Sequence, residues 1–117
     1  MLDPTAGPLV DRIVARLRAI ADPVRVRVLS RLQQGEASVG GLAAELDVGQ
    51  ASMSKHLTIL RQAGIIATTR EGNQTLCRIR DPSIKRLCEL VCDGVQRHLR
   101  EEHEAVTASS PRRTKST

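Results

Sequence analysis

The chain contains no Phe, Trp or Tyr. Its core must therefore be aliphatic, built from Leu, Ile, Val, Ala and Met. The same absence argues against a single-stranded nucleic-acid binder, because such modules stack bases on aromatic side chains. No stretch approaches the roughly 18 consecutive apolar residues of a membrane span, so no membrane partner is expected. The segment Met1–Pro8 lacks the charged-then-apolar layout of a secretory signal, and a cytoplasmic protein is expected. The three cysteines are an odd number and do not form a disulfide framework. In a reducing cytosol they would rest as thiols. Catalytic signatures are missing too. There is no Ser-His-Asp order, no glycine-rich phosphate loop ahead of a Lys-Ser or Lys-Thr pair, and no paired acids in an evident cleft. The sequence does not read as an enzyme.

What is present fits one small folded domain. The chain has 117 residues, of which 40% are hydrophobic and 26% charged. Eighteen Lys and Arg against 13 Asp and Glu give a formal charge of +5. A basic balance suits a polyanion partner, although mild basicity alone is common. Part of the excess, Arg112, Arg113 and Lys115, lies in a polar tail.

The pattern along the chain predicts a flexible arm over 1–8, a folded domain over 9–106 and a basic disordered tail over 107–117. Leu9, Val10, Ile13, Val14, Leu17 and Ile20 recur at helical spacing. Asp22-Pro23 then caps and opens a second helix over about 23–33, with Val24, Val28, Leu29 and Leu32 inward. Ser38 caps a short helix over 39–46. Asp47-Val48-Gly49 turns the chain into a helix over about 50–62, which Gly64 stops. Runs over 65–69 and 75–80 flank Arg70-Glu71-Gly72-Asn73 and predict a β-hairpin. Asp81-Pro82-Ser83 opens a last helix over about 83–104. Its stripe is Ile84, Leu87, Cys88, Val91, Val95, His98 and Leu99.

The predicted fold is mainly α with a small β-hairpin wing, in the order α-α-α-α-β-β-α. A short helix, a glycine-containing turn and a second helix with a polar front make a helix-turn-helix. Such a second helix must keep an apolar back on the core and a slim front for the major groove. Met53, Leu57 and Leu60 supply the back. Gln50, Ala51, Ser52, Ser54 and Lys55 supply the front, near the end that usually meets base edges. Gln pairs with adenine, Lys with guanine, Ala with a thymine methyl, and Ser is permissive. His56, Arg61, Arg70 and Asn73 are placed for phosphates, which set register rather than sequence preference.

These residues resemble a known family. Ala21-Asp22-Pro23-Val24-Arg25, then Val39-Gly-Gly-Leu42-Ala43, then Gln50 to Ile66, with Ser54-Lys55-His56-Leu57 and Leu60-Arg61 inside it, then Arg70-Glu71-Gly72-Asn73, form a pattern. That pattern is similar to the ArsR/SmtB winged-helix regulators over about residues 10–100. The resemblance implies a homodimer through the first and last helices, bound to an inverted-repeat operator on double-stranded DNA. It also implies repression relieved by an effector. Two-fold pairing would set two recognition helices about one DNA turn apart.

The effector is less legible. Metal sensors of the family often carry a cysteine pair in the third helix, and here that helix reads Ser38-Val-Gly-Gly-Leu-Ala without a thiol. A second family site uses Asp, His, His and Glu around the last helix. Asp81 matches its first position, but Ser83, Gly94 and Arg97 follow. Cys77, Cys88 and Cys92 remain as thiol sensors or soft-metal ligands, since Cys88 and Cys92 share a helix face. They read equally as small hydrophobes. His98, Glu102 and His103 are the other metal candidates, and also fit a solvated helix end. A regulator or architectural protein with no ligand, and a module for protein contact only, stay open. No cofactor is required.

Overall fold

The computed structural model of the chain describes Asp3, Thr5 and residues 7–108. The expectations for most of the N-terminal arm, and for the basic tail with Arg112, Arg113 and Lys115, lie outside the described residues. The described residues divide into two compact units, one ending at Ile84 and the other starting at Lys85.

Helix boundaries follow local chemistry. α1 runs over Gly7–Ile20, starting two residues before the expected Leu9. α2 is Pro23–Leu32. Its N-cap, Asp22, accepts from the backbone N–H of Val24 at 2.9 Å and of Arg25 at 3.1 Å. Those are donors that a helix start leaves unpaired. Pro23 at the first position has no donor to lose. α3 is Val39–Leu46, capped by Ser38, whose Oγ accepts from Gly41 N–H at 2.9 Å. α4 is Gln50–Gln62. It ends at Gly64 (φ +76°), where Ile65 N–H donates to Leu60 O and Gly64 N–H to Arg61 O. That bonding pattern closes a helix over a left-handed residue.

The α3–α4 turn lies at Asp47-Val48-Gly49, as expected. Its left-handed residue is Asp47 (φ 55°, ψ 50°), the C-cap of α3, and Gly49 has an ordinary φ of −58°. Asp tolerates this region better than most side chains.

A short strand, β1 (Ala37–Ser38), was not legible in the sequence. It pairs antiparallel with β3 (Gln74–Ile79), which also pairs with β2 (Ile66–Glu71), giving the order β1-β3-β2. The register places Ala37 and Thr68 both opposite Cys77. The expected order α-α-α-α-β-β-α therefore gains a strand ahead of α3. Two residues are too few to show an alternating pattern. At the wing tip, Gly72 (φ +62°) and Asn73 connect Glu71 to its partner Gln74. Glycine with positive φ at the first central position suits a two-residue hairpin turn.

The core of the first unit is aliphatic, as the composition requires. Val28, Leu29, Leu42, Met53, Leu60, Ile65, Ile66, Cys77 and Ile84 are fully buried, and no polar or charged residue among those described is buried. Ion pairs sit at its edge. Arg31 Nε lies 2.8 Å from Glu45 Oε2 and ties α2 to α3. α1 leaves Leu9, Ile13, Val14 and Leu17 exposed.

α5 spans Ser83–Ala108, four residues past its expected end. Asp81 precedes it and accepts through Oδ1 from both the backbone N–H and the hydroxyl of Ser83. The second unit contains the helix from Lys85 onward, with Leu90, Val91, Val95 and Leu99 exposed.

Candidate nucleic-acid interface

The two sides of α4 divide as its sequence demands. Met53, Leu57 and Leu60 are at most 3% exposed, whereas Gln50, Ala51, Ser52, Ser54, Lys55 and Arg61 are exposed. Residues three and four apart share a helix face, so the buried set anchors one side and leaves a narrow polar edge on the other. Gly49 offers no side-chain cap. The first N–H groups of α4 are thus left without a side-chain acceptor.

The wing completes a surface with this edge. Gln50, Ser54, Arg70 and Asn73 line one open concavity of about 300 Å³, together with Ser38, Gln74 and Thr75. Four residues singled out from separate sequence segments are therefore brought together. Arg70 Nη1 donates to Thr75 Oγ1 at 3.0 Å, across the hairpin from its register partner. A second concavity of about 250 Å³ lies between α4 and the sheet, lined by Ser54, Thr58, Arg61, Thr68, Thr75 and Cys77 among others. Thr58, Thr68, Gln74 and Thr75 were missed in the sequence. For Thr68, Gln74 and Thr75 the only signal was strand alternation, which marks a face but not what that face adjoins, and Thr58 lies on α4 between its polar edge and its buried back.

His56, placed for phosphate by its position on α4, is less exposed than its neighbours on the polar edge. Its side chain is 19% exposed and turns toward α2. Nδ1 lies 3.1 Å from Arg25 Nη1 and 3.7 Å from Asp22 Oδ2. Arg25 Nε also donates to Ala19 O at 2.6 Å, so this guanidinium covers the end of α1 while reaching α4. The backbone N–H of Arg25, with smaller help from His56, holds the Asp22 carboxyl below its ordinary value of 3.8.

The thiols fall in different places. Cys77 lies on β3 facing the core, fully buried, and burial pushes its thiol above the ordinary value of 9.0. A raised value disfavours the thiolate, the form that reacts and binds metal. Cys88 on α5 is half-buried and also raised, by burial first and then by Glu89. Cys92 is exposed.

The metal-binding sets suggested by the resemblance do not fit these residues. Asp81 is engaged by Ser83 and by Arg16, whose Nη1 lies 2.6 Å from Oδ2. Ser83 first, and then Arg16, hold its carboxyl below the ordinary range. His98 Nε2 lies 3.4 Å from Glu102 Oε2 on an open helix face, and His103 is exposed. Among the described residues, no three His, Cys, Asp or Glu side chains are grouped so that they could hold a metal ion. The expectations for Cys77, Cys88 and Cys92 as one ligand set, and for His98, Glu102 and His103, gain no geometric support. No helix among the described residues is long and apolar enough to cross a membrane.

Comparison with known proteins agrees with this geometry. A family described as a helix-turn-helix domain matches residues 20–69. The chain is 42% identical over 73 residues to the biofilm growth-associated repressor of Agrobacterium fabrum, and spans 62% of that protein's length with 62% of its own. It is 42% identical over 80 residues to the HTH-type transcriptional regulator CmtR of Mycobacterium tuberculosis, covering 67% of this chain and 68% of that one. It is also similar to a homodimeric winged helix-turn-helix DNA-binding domain from Mycobacterium bovis, a possible ArsR-family regulator. The TM-score is 0.77 at 27% identity, over 86% of this chain and 93% of that one. The chain belongs to the ArsR/SmtB family of winged helix-turn-helix transcriptional regulators.

Proposed function

We propose that this chain is a cytoplasmic, homodimeric repressor that binds an inverted-repeat operator in double-stranded DNA, releases it in response to a thiol-directed effector, and performs no catalysis. The observation that carries the DNA-binding part is the exposed polar edge of α4, Gln50, Ala51, Ser54 and Lys55, set in front of a buried apolar back. Gln50 and Lys55 read base edges. Arg61, Arg70 and Asn73 hold phosphates and fix the register. The exposed apolar residues of α1 and of α5 support pairing of two copies, since aliphatic surface gains by leaving water. Cys88 and Cys92, four apart on α5, are the pair an oxidant, a polysulfide or arsenite would meet.

A second reading, a regulator without an effector, is favoured by one observation. Asp81, the position that matches the family's last-helix metal set, is already committed to Arg16 and Ser83.

The test uses the reduced full-length protein and a duplex that it enriches from a random-sequence library. Affinity is measured by fluorescence anisotropy across a salt series, then with oxidant, polysulfide, arsenite and a divalent metal. A steep fall with salt is expected, from counterion release. Weak binding that ignores salt overturns the DNA-binding reading. Normal binding that no effector changes establishes the second reading over the first.

A further inference from the structure

α4 is held at its C-terminal end by a side chain at the opposite end from Gln50. Arg16, in α1, donates through Nη2 to the carbonyl oxygen of Ala63 at 3.1 Å and through Nη1 to Asp81 Oδ2 at 2.6 Å. Its two acceptors lie 47 and 65 residues away in sequence. Ala63 is the C-cap of α4, and a helix end leaves such carbonyls without an intrahelical partner. Asp81 forms the turn into α5, fixed there by Ser83. One planar guanidinium therefore joins α1, the end of α4 and the start of α5.

Stability is a weak account of this arrangement. The Arg16 and Asp81 side chains are 39% and 28% exposed, and water screens such pairs. Arg16 is not enclosed on all sides either. An open concavity of about 300 Å³ lies beside it, lined by Arg12, Ala15, Gln62 and Ala63. The Arg16 fork engages both acceptors at once. A guanidinium has its donors in a fixed plane, so engaging two acceptors sets distance and angle together.

We propose that Arg16 is a positioning residue for DNA recognition: it fixes α4 against α1 and the start of α5, so that the polar edge is presented to the groove, without itself touching DNA. This rests on the DNA-binding reading above and specifies how that surface is oriented. Any movement of α1, or of the turn at Asp81, is passed to α4 through the same guanidinium.

The test compares the full-length wild type with Arg16→Lys and Asp81→Asn on the duplex enriched by the wild type, across a salt series. Lys keeps the charge but places one compact group where two spaced donors are needed. Asn keeps the shape of Asp81 and removes its charge. Both variants are expected to melt cooperatively and to lose roughly five- to tenfold in affinity, the lower range of measured couplings between sites. The salt slope should stay that of the wild type, because no phosphate contact is lost. Wild-type affinity in cooperatively melting variants overturns the proposal. So does a slope shallower by about one, which would make Arg16 a phosphate contact. If Arg16→Lys does not fold, Asp81→Asn decides by the same two readouts. A wild type that enriches no duplex overturns the DNA-binding reading and this proposal together. Wild-type binding with unaffected variants overturns this proposal alone.

Discussion

His56 Nδ1 lies 3.1 Å from a guanidinium nitrogen of Arg25, so a histidine on the recognition helix faces its own protein. Replacing His56 with Ala should cost about 1 kcal/mol, the typical net value of one hydrogen bond. Urea unfolding measures this. The salt slope of DNA binding should not change. Unchanged stability with a shallower slope would return His56 to the phosphate contacts.

Gln50 and Lys55 are exposed on the polar edge of α4. Substituting either with Ala should narrow the gap between the enriched duplex and random DNA by about 1–3 kcal/mol if it makes a good base contact. Competition binding with both DNAs reads this gap. Equal losses on the two would assign that residue to the backbone.

Arg70 sits at the wing, with one nitrogen on Thr75 and the rest of its fork open. Arg70→Ala should weaken binding to every sequence and reduce the salt slope by about one. The same titration checks it. A slope equal to that of the wild type would remove the wing from the interface.

Asp22 predicts an acid-labile cap. Its carboxyl is lowered below 3.8 in the folded chain, chiefly by the Arg25 N–H. A group lowered on folding adds stability above its unfolded value, and that stability is lost as pH falls through the folded value. Asn caps as well as Asp but does not titrate here. The stability of wild type relative to Asp22→Asn should therefore be level around neutral pH and fall on acidification below 3.8. Denaturant midpoints across that range measure it. A relative stability that rises in acid would contradict the assignment.

Much of the fold was legible because its determinants are local. The stripe Met53, Leu57, Leu60 repeats at helical spacing, and all three are buried. Asp22-Pro23, Ser38 and Gly64 act on donors and carbonyls within a few residues of themselves. The polar edge of α4 followed from the same periodicity, since fixing the back of a helix fixes its front. β1 was not legible, because its two residues carry no period and exist as strand only through β3. The direction of the His56 side chain was not legible for a similar reason. Its helical position allowed two directions, and only Arg25, 31 residues away, decided between them.

By itself the amino-acid order determined where helices start and stop, that the interior is aliphatic, and which edge of α4 stays wet. Those properties depend on neighbours along the chain, where capping and periodicity operate. Tertiary structure alone decided that Gln50, Ser54, Arg70 and Asn73 share one concavity, that β3 is a central strand, and that Arg16 spans Ala63 and Asp81. Hydrogen bonds between distant residues leave no period in a sequence, so those partners became visible only when folding brought them within reach.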